Sequence, residues 1–224
     1  MKSVLITGAD RGVGYCLCEC FLKGGWKVYA GQYMPEWPWL SELKKAHPQQ
    51  LEIISLDVGN DASVEAAAAL VDHLDMLISS AGIGGRDDAE GMRNVFSVNT
   101  LGAVRVVDAF LPKMQTGLKR LAFVSSEAGI ISVAHRDGGF SYTMSKTMLN
   151  MTVRCMFREL YPRGYTFRLY HPGWVRSYMS GKKSTRGNFE PEETAAVAYQ
   201  QVTENRASED VLVMTDVSGH MWPF

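Results

Sequence analysis

Tyr142 and Lys146 stand four residues apart in a stretch whose spacing predicts a helix from Tyr142 to Tyr161, closed by Pro162 and Gly164. Residues four apart on a helix share a face, so a phenol and an ammonium are set side by side. A free tyrosine, with a pKa of about 10, is a poor base at neutral pH. A neighbouring cation stabilises the phenolate and draws that value down. A phenol so placed can give a proton to a carbonyl under reduction, or take one from an alcohol under oxidation. Near the start of the chain, Gly8, Gly12 and Gly14 fall within Thr7-Gly8-Ala9-Asp10-Arg11-Gly12-Val13-Gly14. Such glycines let the backbone turn tightly and bring bare N–H groups to a pyrophosphate at a helix N-terminus. Each feature alone has a blander explanation. A Tyr and Lys at this spacing are usually a packed ring and a solvated charge, and a glycine turn can join a strand to a helix without binding anything.

The elements that must position these groups alternate. Strands are predicted at Val4–Ile6, Trp26–Ala30, Leu51–Leu56, Met76–Ile78, Leu121–Val124, Tyr165–Tyr170 and Val211–Met214. Helices are predicted at Val13–Leu22, Ala62–His73, Asn94–Met114, Tyr142–Tyr161 and Glu192–Thr203. Alternation of this kind predicts one doubly wound α/β domain over residues 1–224, with a mostly parallel seven-stranded sheet and helices on both faces. The strands are near-continuously apolar, as strands buried on both sides must be. Ligands of such sheets bind at the carboxyl ends of the strands. Those positions hold Thr7-Gly8, Gln32-Tyr33, Asp57-Val58, Ser79 to Gly82, Ser125-Ser126 and His171 to Gly173.

The spacing of the glycine turn resembles the cofactor motif Thr-Gly-x-x-x-Gly-x-Gly of the short-chain dehydrogenase/reductase family. The rest of the chain matches that family in order. Asp57-Val58 resembles its adenine-contacting aspartate, and Ser79-Ser80-Ala81-Gly82 its Asn-Asn-Ala-Gly element. Asn99 resembles its helix asparagine and Ser126, in Ser-Ser-x-x-Gly, its catalytic serine. Tyr142 to Lys146 is its Tyr-x-x-x-Lys, and Pro172-Gly173-Trp174-Val175-Arg176-Ser177 resembles its Pro-Gly-x-Val-x-Thr. The likeness runs from Thr7 to Ser177. There are three departures: serines replace both asparagines of the Asn-Asn-Ala-Gly element, and the segments Gly82–Asn99 and Ser177–Pro191 are short. The trimmed form resembles the small C-factor/sniffer-like branch.

The resemblance implies a Rossmann-type fold and a nicotinamide-dependent carbonyl–alcohol oxidoreductase, with Asn99, Ser126, Tyr142 and Lys146 as catalytic residues. Ser126 would hold the substrate oxygen; Ser125 is the alternative, and the spacing to Gly129 favours Ser126. Lys146 would hydrogen-bond the nicotinamide ribose, and Asn99 would anchor a water linking Lys146 to solvent. The cofactor would be held by Gly8, Asp10, Arg11, Gly12, Val13 and Gly14, by Gln32, Tyr33, Asp57 and Val58, by Ala81 and Gly82, by Tyr142 and Lys146, and by Pro172, Gly173, Val175 and Ser177. An acidic residue at the end of the second strand would select NAD; Gln32 and Tyr33 stand there instead. Arg11 lies where many NADP-preferring relatives carry a base for the 2′-phosphate, so NADP(H) is expected over NAD(H). Trp174, Tyr178, Met179 and Phe189 either suit an apolar carbonyl substrate or pack the lid. His135 and Arg136 lie near the cleft mouth or on a solvated loop. A homodimer or homotetramer is implied through the helices of Asn99 and Tyr142, the second of which offers Met148, Met151, Cys155 and Met156.

The bulk properties fit. The chain has 224 residues, 46% hydrophobic and 21% charged, with a net charge of −1, which offers no basic surface for nucleic acid. Cys16, Cys18 and Cys20 alternate along a predicted helix, so they make a poor metal cage; no metal site is expected. Free thiols suit a reducing cytoplasm. No signal peptide and no membrane-spanning apolar run are read. A catalytically silent NADP-binding sensor is the rival reading; such proteins tend to lose the active Tyr or Lys, and both stand here.

Overall fold

The computed structural model describes residues 1–223. Eight strands form one sheet: β1 (Ser3–Ile6), β2 (Lys27–Gln32), β3 (Leu51–Ser55), β4 (Met76–Ser79), β5 (Arg120–Val124), β6 (Thr166–His171), β7 (Met214–Asp216) and β8 (Met221–Trp222). Their order is β3-β2-β1-β4-β5-β6-β7-β8, parallel except for the β7–β8 pair. The helices are α1 (Gly12–Lys23), α2 (Trp39–Ala46), α3 (Asp61–Ala69), α4 (Ala89–Phe96), α5 (Gly102–Phe110), α6 (Phe140–Leu160) and α7 (Pro191–Thr203). The result is a Rossmann-like α/β domain, with the sheet covered on both faces.

Sequence explains the two layers. β1 and β4 are buried along their whole length, as apolar central strands must be. One core packs Leu5, Leu77, Leu121 and Phe123 against Val106 and Phe110 of α5 and Leu149 and Val153 of α6. The other packs Val4, Ile6, Met76 and Ile78 against Leu17 and Phe21 of α1 and Ala195 and Ala198 of α7. Alternate residues of the same strands serve opposite cores, because side chains alternate across a strand. At the far end of β5 and β6, Arg120 and Arg168 are buried to about 2% exposure or less. Their guanidinium groups donate to the carbonyls of Gln201, Val202 and Glu204 at the end of α7, and both pair with Glu209. They thus satisfy the carbonyls a helix end leaves unpaired.

Several elements differ from expectation. β7 lies at Met214–Asp216 rather than Val211–Met214. β8 adds an eighth, antiparallel strand, fixed by Asp216, which accepts from the backbone of Ser218 and His220 and from Trp222 Nε1. α2 falls in a stretch where no element is predicted, between proline-rich turns. The helix expected at Asn94–Met114 begins at Ala89 and is broken by a π turn at Ser97–Leu101. Contrary to the sequence reading, Ala89–Met114 is long and apolar enough by length and composition to cross a membrane. Val95, Val106, Val107, Phe110 and Met114 of that stretch are buried in the fold.

Strand order reverses between β1 and β4. The turns after these two strands therefore diverge to opposite sides and leave a crevice at their carboxyl ends.

Candidate active site

A cleft of about 920 Å³ opens at that crevice. At one end lie Gly8, Asp10, Arg11, Gly12, Val13 and Gly14, with Tyr33, Asp57 and Val58 beside them. Ala81 and Gly82 line its middle, and Ser126, Tyr142 and Lys146 its other end. Pro172, Gly173, Val175 and Ser177 form the wall beneath the lid. Of the predicted site residues only Gln32 and Asn99 do not line it. Gln32 is the last residue of β2, paired with Ser55. Asn99 lies behind the wall.

The glycine turn is built for close approach. Gly8 and Gly12 have φ of +64° and +62°, a region that disfavours side chains. A Cβ on Gly14 would lie 2.2 Å from the Gly8 carbonyl oxygen, and one on Gly8 would lie 2.8 Å from Ala81 Cα. Thr7 Oγ1 accepts from the backbone N–H of Ser80 and Ala81, both at 3.0 Å. The turn and the segment after β4 are thereby joined without the two asparagines that Ser79 and Ser80 replace. α1 starts with no side-chain cap and no acidic residue in its first turn. Bare N–H groups and a positive helix end fit a pyrophosphate.

Asp10 lines the cleft and also shapes the backbone beside it. Its Oδ1 accepts from the backbone N–H of Tyr33 at 2.9 Å and of Met34 at 2.7 Å, which fixes the chain leaving β2. Arg11 donates from Nε to the Tyr178 carbonyl and lies 5.0 Å from the Trp37 ring centre. Its guanidinium thus sits by the segment after β2, where a 2′-phosphate would need a cation. Asp57 Oδ1 accepts from Gly59 N–H and shapes the turn after β3.

At the opposite end, β5 delivers two serines to different partners. Ser125 is buried and donates to Asn150 Oδ1 inside α6. Ser126 Oγ accepts from Ala128 N–H and donates to Glu127 Oε2 at 2.7 Å. Gly129 lets this turn press on α6, since a Cβ there would lie 2.5 Å from the Lys146 carbonyl carbon. Asn99 accepts from Ile83 N–H and donates to the Ile83 carbonyl and to Ser145 Oγ. The π turn carries it to this position; such turns are frequent at functional sites. A Cβ on Gly82 would lie 3.5 Å from Asn99 Oδ1 and 3.8 Å from Lys146 Nζ. Gly82 thus lies beside both the asparagine and the lysine.

Lys146 Nζ lies 5.7 Å from the Tyr142 ring centre and donates to the Val124 carbonyl at 3.0 Å. Burial draws its ammonium down to about 8. The sequence expectation that this cation lowers Tyr142 is not met in the protein alone. Burial pushes Tyr142 up, the Glu127 charge adds to that, and the Ser126 hydroxyl and Arg136 act against it. Partial burial at the cleft wall favours the neutral phenol, and the Lys146 ammonium bonds a backbone carbonyl instead.

The lid divides its aromatics. Phe189 packs on Gly173, and Tyr178 meets Trp37 and Trp39 edge to face. Trp174 and Met179 stay exposed along the cleft. Arg176 and Lys183 both pair with Glu190. The sequence reading names His171 only as a strand-end residue and does not name Glu127; the two meet beside Ser126. The signal present was the acidic residue directly after the serine, and the polar residue at the end of β6.

Comparisons with known proteins agree with this geometry. Residues 2–188 match the family model for short chain dehydrogenases. The chain is 40% identical over 119 residues to the C-signal of Myxococcus xanthus, covering 50% of this chain and 72% of that protein. It superposes on an NADPH-bound carbonyl reductase from chicken fatty liver with a TM-score of 0.84 at 25% identity, covering 100% of this chain and 99% of that one. The carbonyl reductase Sniffer of D. melanogaster shares the fold, with a TM-score of 0.89 at 20% identity and full coverage of both chains.

Proposed function

The chain belongs to the short chain dehydrogenase family and is an oxidoreductase of its C-factor-like branch; from that premise we propose that it interconverts a carbonyl and an alcohol with NADP(H), Tyr142 acting as general acid and base. The observation that carries this reading is the single cleft with the glycine turn at one end and Ser126, Tyr142 and Lys146 at the other.

A nicotinamide dinucleotide, when bound, supplies or accepts the hydride. The α1 N-terminus and the glycine turn would hold its pyrophosphate, and Lys146 its nicotinamide ribose. Ser126 would fix the substrate oxygen, and Tyr142 would pass it a proton in reduction. Asn99, facing Lys146 across Gly82, would anchor the water that refills the proton. Trp174 and Met179 present an apolar wall, which suits an apolar or aromatic carbonyl. Arg11 supports NADP(H) over NAD(H), as does the neutral pair Gln32-Tyr33.

Turnover of a panel of aldehydes and ketones with NADPH and with NADH, at equal low concentration, tests the cofactor reading. Faster turnover with NADPH is expected; a clear preference for NADH contradicts it. The reading also includes a homodimer or homotetramer. It places the enzyme in the cytoplasm, as four free cysteines suit, which cell fractionation checks.

A further inference from the structure

The carboxylate directly after Ser126 has no part in the chemistry above, yet it is held from three sides. Glu127 Oε2 accepts the Ser126 hydroxyl at 2.7 Å and faces His171 Nε2 at 3.1 Å. Its Oε1 accepts from Arg136 Nη2 at 2.6 Å. These partners come from the turn after β5, the end of β6 and the loop before α6. The Glu127 side chain is 13% exposed and lines the cleft beside Tyr142.

Burial opposes a charge on Glu127, but the Ser126 hydroxyl, His171 and Arg136 outweigh it and hold the carboxyl below its usual range. Burial pulls the His171 imidazole down, against the charges of Glu127 and Asp216. A neutral imidazole has one N–H, and Nε2 is the nitrogen that meets the carboxylate. His171 Nδ1 is buried with no hydrogen-bond partner among the described residues, which agrees with its being the bare nitrogen. The cluster is therefore an ionised carboxylate with three donors.

Two consequences reach Tyr142. Ser126 has one hydroxyl proton, and Glu127 takes it where no substrate oxygen competes, so Glu127 decides where that hydroxyl points. The charged groups facing the phenol are Lys146 on its own helix, Arg136 from the loop before α6 and Glu127 from the turn after β5; Asp216 of β7 acts only from behind His171. Of these, Arg136 favours a phenolate and Glu127 opposes one. We propose that Glu127 is a positioning residue: it fixes the direction of the Ser126 hydroxyl, and its carboxylate on the cleft wall sets the charge that Tyr142 faces. This rests on Tyr142 being the proton donor of the reaction.

The test reads Tyr142 directly. Tyrosinate absorbance is titrated with pH, and the same protein carrying Tyr142→Phe is subtracted. In Glu127→Gln, Tyr142 should ionise at lower pH than in wild type, by on the order of one unit. In Arg136→Gln, at a half-exposed position, it should ionise at higher pH. The alkaline limit of carbonyl reduction should move the same way in each variant. A titration that stays in place in a folded Glu127→Gln protein, or moves upward, overturns the proposal. If Glu127→Gln does not fold, Arg136→Gln decides: a downward or absent shift overturns it. The titration needs no turnover, so its outcome is separate from whether any carbonyl is reduced.

Discussion

A lysine amine buried to 4% exposure, with a single backbone carbonyl as partner, is costly to a folded chain. The cost appears as the fall of Lys146 to about 8 from an unperturbed 10.5. The sign follows from proton binding. Below about pH 8 the amine is charged in both folded and unfolded states, and the penalty is complete. Between about 8 and 10.5 the unfolded chain binds the proton and the folded chain does not, so stability rises with pH. Lys146→Met should therefore be more stable than wild type at neutral pH by roughly 3 kcal/mol. That gain should vanish as pH approaches 10.5, while turnover is lost. Denaturant unfolding at several pH values measures this; a variant less stable than wild type at neutral pH contradicts it. That Tyr142, Lys146 and Ser126 share one cleft was legible from type and spacing. The ionisation of the pair was not, because burial and the direction taken by the ammonium depend on contacts far apart in sequence.

At the scale of the element, glycines set what the backbone can approach. The strand–turn–helix at residues 3–23 was legible because its punctuation is local: an apolar strand, three glycines, then helical spacing. Gly14 matters for a reason the spacing does not show, which is the 2.2 Å between its would-be Cβ and the Gly8 carbonyl oxygen. Gly14→Ala should cost about 1–3 kcal/mol through overpacking and weaken cofactor binding by opening the turn. Thermal unfolding and cofactor titration read the two effects; unchanged binding would argue that the turn holds no phosphate. The π turn that presents Asn99 stands where the spacing predicts ordinary helix. Its one extra residue leaves no mark in composition; within it Asn99 accepts from Ile83 N–H and donates to the Ile83 carbonyl. Likewise β8 depends on Asp216 gathering donors from its own hairpin, a pattern hydropathy does not carry.

For the whole molecule, alternating strands and helices were enough to specify two cores and a crevice where strand order reverses. They left open how the outer surfaces are used. On α6, Met144, Met148 and Met151 are 43%, 42% and 64% exposed at spacings that place them on one side of the helix. Leu101, between α4 and α5, is 47% exposed. If the protein is a homodimer or homotetramer through these helices, Met151→Glu should shift it to smaller species in sedimentation without loss of fold. A wild-type protein that sediments as a monomer contradicts that reading.

In the proposed reaction Tyr142 carries the proton of a nicotinamide-dependent carbonyl reduction. The most direct measurement is NADPH consumption by wild type and Tyr142→Phe side by side on a carbonyl that wild type reduces, with NADPH binding measured for both. Loss of turnover by about 10²-fold or more, with binding retained, is the predicted result. A variant that turns over like wild type contradicts the account, as does a wild type that binds NADPH and reduces no carbonyl; the latter points to a cofactor-sensing protein.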